Sequence, residues 1–131
     1  MKFYVASSFT NIDSVRRVSG ILKKRGLIHT YDWTQNERAS TVQQLVQFGL
    51  YEKHAVIESD ILIVLLPAGK GSHVELGIAL GHGKKVFLYS PTDEVIQFDK
   101  TSTFYHLPEV EIVIGTIDDL INTVLGGIKN D

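Results

Sequence analysis

Residues 60–77 have the sequence DILIVLLPAGKGSHVELG, and this stretch decides the fold. Its first part, Asp60–Pro67, is a continuous apolar run rich in β-branched residues, which is typical of a parallel strand covered on both faces. A turn with two glycines follows at residues 69–71, and Ser72–His82 then predicts a helix. A buried strand that leads through a tight turn into a helix is the repeating unit of an α/β fold.

The same alternation extends in both directions along the chain. Further strands are predicted at Lys2–Ser7, Leu27–Trp33, Lys85–Tyr89 and Val110–Ile114. Further helices are predicted at Asn11–Arg25, Ala39–Ser59 and Thr116–Leu125, the last of them ending before two glycines. In the second helix the predicted core-facing stripe consists of Val42, Leu45, Val46, Leu50, Val56 and Ile57. Residues 90–110 have no strong period and predict a long loop.

Strands separated by helices require right-handed crossovers and a parallel sheet. We therefore predict an α/β, flavodoxin-like, doubly wound five-stranded parallel sheet of order 2-1-3-4-5, with helices on both faces and strand 3 at the centre. The length of 131 residues and the content of 44% hydrophobic and 21% charged residues are those of an ordinary folded domain. The sequence predicts a single domain over residues 1–131.

Composition also excludes several functions. The net charge of −2 and the pI near 6.2 provide no basic field for a phosphate backbone, so nucleic-acid binding is not expected. Cysteine is absent, which excludes disulfides, thiolate metal sites and a cysteine nucleophile. The first residues lack the apolar core of a signal peptide, and the longest apolar run, Ile61–Ala68, is too short for a bilayer span of ~20 residues. We expect a cytoplasmic protein without a membrane partner.

In a doubly wound sheet, ligands bind beyond the carboxyl ends of the strands where the strand order reverses, here between strands 1 and 3. Two segments follow those strand ends, Ser7–Asn11 and Pro67–Glu75. Glycines allow close backbone approach, and a helix N-terminus offers free N–H groups and a partial positive charge. The turn matches neither a P-loop nor a dinucleotide-binding fingerprint. The predicted substrate-binding residues are Ser7, Ser8, Asn11, Gly69, Gly71 and Ser72.

Glu75 has two interpretations. In the first, Ser72 is the N-cap of the helix and Glu75 is the third helical residue, because S-x-x-E is the pattern of a capping box. In the second, Glu75 is a nucleophile at the ligand end of the sheet. The helix dipole would keep a carboxylate in the first turn ionised, which suits that role.

Two other side chains could join Glu75. Tyr4, in the first strand, is either a core aromatic residue or a phenol that points into the crevice and binds a carboxylate. Glu52, on the second helix, faces either the crevice or water. The five histidines have no metal-ligand spacing, so we expect neither a metal nor another cofactor.

Three segments resemble the nucleoside 2-deoxyribosyltransferase family, including its branch that hydrolyses deoxynucleoside monophosphates. These segments are residues 4–9 (YVASSF), residues 52–66 together with residues 71–77 (GSHVELG), and residues 84–92 (KKVFLYSPT), and the similarity covers residues 2–92. The resemblance implies cleavage of the N-glycosidic bond of a (deoxy)nucleoside or nucleotide by double displacement at C1′. The sugar would pass through a covalent glycosyl-enzyme to another base or to water.

The resemblance also implies roles for individual residues. Glu75 would be the nucleophile, and Tyr4 matches the family tyrosine that orients it. Glu52 falls where the family usually has an aspartate that exchanges a proton with the departing base, and Ser8 falls where the sugar 5′ end is contacted. Because the family often completes its site with a neighbouring subunit, a homodimer or larger homo-oligomer is expected, with Ser102–Tyr105 as a candidate contribution.

Two other functions remain open from the sequence. A doubly wound fold with a nucleophilic glutamate also resembles the NAD hydrolases of the Toll/interleukin-receptor type. A catalytically silent nucleotide-binding module is the third hypothesis. The residues alone leave open the base, the choice of ribose or deoxyribose, the presence of a 5′-phosphate and the acceptor of the sugar.

Overall fold

The computed structural model describes residues 1–129 of the chain. Its strands are β1 (Lys2–Ala6), β2 (Ile28–His29), β3 (Ile61–Leu65), β4 (Lys85–Ser90) and β5 (Val110–Ile114). Its α-helices are α1 (Ile12–Lys24), α2 (Val42–Glu58), α3 (Lys70–Gly81) and α4 (Ile117–Lys129). Short 3₁₀ helices lie at Phe9–Asn11, Trp33–Gln35, Asp93–Ile96 and Thr103–His106.

The strands form one parallel sheet in the order β2-β1-β3-β4-β5, as predicted. Strand β3 is central: Leu62 pairs with Tyr4 of β1, and Ile63 pairs with Phe87 of β4. All five residues of β3 are buried, which explains its unbroken apolar sequence. The reversal of strand order lies between β1 and β3, so the carboxyl ends of these two strands define the crevice.

The helices form two layers. The connection from β1 to β2 and the connection from β2 to β3 run in opposite directions across the sheet, so right-handed crossovers place α1 and α2 on opposite faces. Helix α1 packs beside α4, and α2 packs beside α3. We call these pairs the α1–α4 layer and the α2–α3 layer. Among helices within residues 1–129, none is both long and apolar enough to cross a bilayer.

Helix α1 forms nearly as predicted. Its apolar residues are spaced three and four apart, and Val15, Val18 and Leu22 are fully buried against the sheet. The chain turns after the helix at Gly26, whose φ of 91° favours glycine.

Helix α2 departs from the prediction. Of its predicted core-facing stripe, Val42, Leu45, Val46 and Leu50 are at least half exposed, and only Val56 is fully buried. The prediction that the whole stripe faces the core is therefore wrong. The helix contacts the protein mainly through its last turns, where Ala55 and Val56 pack on the sheet.

Strand β2 and helix α4 end at residues other than those predicted. Strand β2 has only two residues, because the chain leaves the sheet edge after Thr30 and starts a 3₁₀ helix at Trp33. Helix α4 continues through the two glycines that were predicted to follow it. A Cβ at Gly127 would lie 3.3 Å from the Phe87 ring, so close packing explains this glycine better than helix termination does. The end of the predicted 1–131 domain, residues 130 and 131, lies outside the described residues.

Candidate active site

A cleft of about 380 Å³ opens at the carboxyl ends of β1 and β3. Its lining includes all three predicted catalytic residues: Tyr4 from β1, Glu52 from α2 and Glu75 from α3. The α2–α3 layer and the sheet thus bring together residues that are far apart in sequence.

Tyr4 and Glu75 form a direct pair. The Tyr4 hydroxyl donates a hydrogen bond of 2.5 Å to Oε2 of Glu75. Both side chains are buried, with exposed fractions of 1% for Tyr4 and 8% for Glu75. Tyr4 therefore fulfils both interpretations, because its ring belongs to the core while its hydroxyl reaches the cleft. No other hydrogen bond to this carboxyl occurs in residues 1–129, which leaves Oε1 facing the cleft without a partner.

The capping-box interpretation of Glu75 is wrong. Helix α3 begins at Lys70, two residues earlier than predicted, and its N-cap is Gly69, which has no side chain to cap it. Glu75 consequently lies in the second turn. The buried residues of α3 share one face of the helix, and this face packs toward the sheet; they are Ser72, Glu75, Leu76 and Ala79. Glu75 is therefore directed toward the sheet.

The same geometry changes the protonation expected for Glu75. Burial raises its pKa to about 7, the negative charge of Glu52 adds to the increase, and the Tyr4 hydrogen bond opposes it. The expectation of a carboxylate kept ionised by the helix dipole is wrong, because the dipole acts mainly within the first turn. Burial also raises the pKa of Glu52. Burial and mutual repulsion therefore disfavour the state in which both carboxyl groups of the cleft are ionised.

The glycine-rich turn forms one wall of the cleft. Gly69, Lys70, Gly71 and Ser72 all line it. The first amide groups of α3 have no intrahelical acceptor. A Cβ at Gly69 or Gly71 would meet no atom within 4 Å, so internal packing does not require glycine at either position. Ser72 is only 4% exposed, and among residues 1–129 its hydroxyl has no hydrogen-bond partner.

The residues after β1 meet this turn. Ser7 Oγ donates to the Leu65 carbonyl at 2.8 Å, and the Asn11 amide donates to Ser7 Oγ at 3.0 Å and to the Pro67 carbonyl at 2.8 Å. Ser7 and Ser8 line the cleft, whereas Asn11 lies beside it and anchors the loop before α3. Substrate contacts by these three residues stay predictions.

Sequence reasoning missed two aromatic residues of the cleft. Trp33 is buried, donates from Nε1 to the Val5 carbonyl at 2.7 Å and meets Phe9 edge-on at 5.4 Å between ring centroids. Phe9 is 67% exposed. Both follow strand ends on the carboxyl side of the sheet, which is the signal that could have identified them. Lys70, at the first position of α3, was missed as well.

Possible metal ligands do not gather in the described residues. Within residues 1–129 there is no group of three or more His, Asp or Glu side chains suited to a metal ion. His73, the histidine nearest the glycine-rich turn, uses both ring nitrogens in hydrogen bonds, Nδ1 to the Gly69 carbonyl at 2.8 Å and Nε2 to the Tyr105 hydroxyl at 2.7 Å.

Comparison with known proteins gives a likeness to solved structures. No protein-family model matches the sequence, and no curated protein matches it. Among solved structures, the chain is similar to the CMP N-glycosidase BcmB of Clostridium botulinum, with a TM-score of 0.65 and 16% sequence identity. The alignment covers 95% of this chain and 98% of that chain. At this level of identity, the likeness shows that the two chains share the fold.

Proposed function

We propose that this protein cleaves the N-glycosidic bond of a nucleoside 5′-monophosphate, with Glu75 as the nucleophile. The observation that carries the proposal is the Tyr4–Glu75 pair on the floor of the cleft. A purely structural glutamate would not need a cleft beside its free oxygen, and burial makes its ionisation costly. Perturbed carboxyl groups in a cleft are characteristic of catalytic sites.

The geometry of this pair supports a double displacement at C1′ of the sugar. Tyr4 binds Oε2, so Oε1 is the oxygen that attacks C1′ of the sugar. The C1′–N bond breaks with its electron pair going to the base, while the new C1′–O bond forms an ester with Glu75. Water then attacks C1′ from the opposite side and releases the Glu75 carboxylate. Two displacements give the sugar with net retention.

Glu52 is the proposed proton donor. Its side chain lines the same cleft, and burial raises the pKa of its carboxyl. The reaction requires Glu75 ionised and Glu52 protonated, so the reactive form is the state in which the pair holds one proton and that proton is on Glu52. Glu52 would protonate the departing base in the first step and take a proton from the attacking water in the second. A purine or pyrimidine leaves more readily as the neutral base, so this transfer lowers the barrier of the first step.

The 5′-phosphate is proposed to bind at the start of α3. Three features of the wall support it: the unpaired amide groups of the first helical turn, the Lys70 side chain and the unpartnered Ser72 hydroxyl. A helix N-terminus stabilises phosphate through its amides and its dipole. The likeness to a CMP N-glycosidase agrees with a nucleotide substrate. Glycines at positions 69 and 71 leave room for the ligand to approach the backbone.

A release assay tests this function directly. The purified protein is incubated with the nucleoside 5′-monophosphates of ribose and deoxyribose, with the matching nucleosides and with NAD, and free base is measured by chromatography. Release of base from a monophosphate, abolished by Glu75→Gln, supports the proposal. Release of nicotinamide alone would instead identify an NAD hydrolase, and no release from any compound would favour the silent nucleotide-binding module.

Two further measurements identify the intermediate and the acceptor. Intact-mass spectrometry during turnover should detect the protein with one added sugar phosphate, and peptide mapping should place that adduct on Glu75. Addition of a second free base to the assay distinguishes transfer from hydrolysis, because a transferase would form the exchanged nucleotide. An adduct on another residue would contradict the assignment of Glu75.

A further inference from the structure

The carbonyl of Gly69, at the start of α3, is held by a side chain that lies outside the cleft. His73 contacts this carbonyl through Nδ1 at 2.8 Å, and its main-chain N–H donates to the same oxygen at 3.3 Å. The other ring nitrogen, Nε2, contacts the Tyr105 hydroxyl at 2.7 Å. Within residues 1–129, the lining of the cleft that contains Glu75 includes Gly69 but not His73. An effect of His73 on a bound ligand therefore has to pass through the turn.

The chemistry of the groups fixes the direction of both hydrogen bonds to the His73 ring. A carbonyl oxygen only accepts, so Nδ1 carries a proton and donates it to Gly69. In the neutral imidazole the other nitrogen is then an acceptor, and the Tyr105 hydroxyl donates to Nε2. Tyr105 is 8% exposed and belongs to the 3₁₀ helix Thr103–His106, which packs beside β5. Tyr105 thus fixes the tautomer and the orientation of the ring.

The held carbonyl determines the direction of the next amide. The C=O of Gly69 and the N–H of Lys70 belong to one peptide group, which is planar and trans, so they point in opposite directions. The bond to His73 directs the Gly69 carbonyl along α3. It therefore directs the Lys70 N–H out of the helix, into the space before its first turn. Lys70 lines the cleft, and an amide at this position has no intrahelical acceptor.

We propose that His73 is a positioning residue that raises the affinity of the cleft for a phosphate group by fixing the direction of the Lys70 amide. The inference rests on the proposed function in one respect, the binding of the 5′-phosphate at the start of α3. Ser72 supports a polar ligand there independently. Its hydroxyl belongs to a residue that is 4% exposed, lines the cleft and has no partner among residues 1–129.

The turn needs such an anchor because its own packing does not hold it. A Cβ at Gly69 or Gly71 would meet no atom within 4 Å, and glycine has the largest backbone freedom to lose on ordering. Asn11 holds the Pro67 carbonyl at 2.8 Å, on the side of the turn that precedes Gly69. His73 holds the other side, and an ordered turn binds its ligand at a lower entropic cost. One net hydrogen bond corresponds to a factor of roughly 3–10 in affinity.

The test uses ribose 5-phosphate, which contains the sugar and the phosphate but no N-glycosidic bond to cleave. In an NMR titration of the ¹⁵N-labelled wild type it should shift the amide signals of Lys70 and Gly71, whereas ribose should not. His73→Leu should raise the Kd of ribose 5-phosphate roughly 3–10-fold. His106→Leu is the matched control and should leave that Kd unchanged. The His106 ring also contacts a hydroxyl, Thr101 Oγ1 at 2.9 Å, but makes no hydrogen bond to the turn.

Two conservative variants separate positioning from packing. His73→Asn keeps an N–H donor near the place of Nδ1, so it should retain most of the affinity. His73→Gln places its amide near Nε2, within reach of Tyr105 but not of Gly69, so it should bind as weakly as His73→Leu. Equal affinities of the Asn and Gln variants, or tighter binding by the Gln variant, would overturn the proposal.

The binding measurement is independent of turnover. A wild type that does not bind ribose 5-phosphate, or a His73→Leu variant with the wild-type Kd, would also overturn the role of His73. Absence of base release from every nucleotide and nucleoside would instead refute the proposed glycosidase activity. In that case the dependence of ribose 5-phosphate binding on His73 would still decide this inference.

Discussion

Helices α1 and α2 both carry apolar residues three and four positions apart, but they use them differently. Helix α1 buries Val15, Val18 and Leu22 completely, whereas most of the corresponding residues of α2 are exposed. The α1–α4 layer covers its face of the sheet with apolar side chains. The α2–α3 layer instead directs Glu52 and Glu75 into a cleft. The α1–α4 layer therefore contributes mainly to the stability of the fold, whereas the α2–α3 layer carries the candidate catalytic residues.

The largest effect on turnover is expected from substitution of Glu75, in the α2–α3 layer. Glu75→Gln keeps the size of the side chain and an acceptor for Tyr4, but an amide does not form the glycosyl ester. Turnover of the substrate identified by the release assay should fall by at least ~10³-fold. Glu58→Gln, an exposed glutamate on α2, is the control. If Glu75→Gln retains more than about a tenth of the turnover, Glu75 is not the nucleophile.

The same variant should not lose stability. The pKa of Glu75 is about 7 in the folded protein and near 4.5 when unfolded, so the folded state binds more protons between these values. Its contribution to stability is therefore lost as the pH rises toward and through 7. Glu75→Gln removes that loss and should increase the unfolding free energy at pH 8 by up to roughly 3 kcal/mol. Urea unfolding at pH 5 and pH 8 measures the difference.

In the α1–α4 layer, a substitution should lower stability and leave turnover unchanged. Leu22→Ala in α1 removes a fully buried side chain and should lower the unfolding free energy by about 2–5 kcal/mol without changing kcat under folding conditions. Leu50→Ala in α2, where the side chain is half exposed, should cost less than ~1 kcal/mol. Equal losses in the two variants, measured by urea unfolding of dilute samples, would remove the distinction between the layers.

The hydroxyl of Tyr4 connects the sheet to the α2–α3 layer through its hydrogen bond to Glu75. Removal of this hydroxyl should have an intermediate effect on turnover. Tyr4→Phe removes the hydroxyl that orients Glu75 and should lower kcat roughly 10–100-fold. Because that hydrogen bond lowers the pKa of Glu75, its removal should also move the acidic limb of the kcat/KM profile to higher pH. Tyr51→Phe on the exposed side of α2 is the control. A lower kcat with an unmoved profile would mean that the Tyr4 hydroxyl does not lower the pKa of Glu75.

The smallest effect is expected at the sheet edge. His29 of β2 stacks on Phe3, and its buried Nε2 has no hydrogen-bond partner among residues 1–129. Burial lowers its pKa, with Lys23 adding to this and Asp32 opposing it. As the pH falls, His29 is therefore protonated at a higher pH in the unfolded state than in the folded state. The stability that depends on a neutral His29 is present above pH 6.5 and is lost as the pH falls below it.

His29→Phe keeps the stacking and removes the titration. The difference in unfolding free energy between wild type and variant should therefore change between pH 7 and pH 5, while Glu75 contributes equally to both proteins. His54→Gln, an exposed histidine on α2, should not change this dependence. A constant difference across the range would show that His29 does not titrate with unfolding.

The sequence determined the sheet and the identity of the main cleft residues. The apolar run at residues 61–65 has no polar position to expose to water, so it favours a central parallel strand. The alternation with helices favours a parallel, doubly wound sheet, and the observed strand order is that of the flavodoxin-like form. Glu75 was singled out by its place after the strand 3 turn, Tyr4 by its place in the first strand and Glu52 by its place on the second helix, and the resemblance implied their roles. These predictions depend on local spacing and topology, which the sequence contains directly.

Only the tertiary structure decided how these residues meet. The start of α3 at Lys70 sets the phase that buries Glu75, and the sequence offered a capping serine two residues later instead. The pKa of Glu75 depends on burial and on Glu52, which is distant along the chain. Likewise, periodicity identifies the apolar stripe of α2, but only the packing of the chain shows that most of this stripe is exposed. Burial and long-range contacts depend on the packing of the whole chain, and local sequence does not encode them.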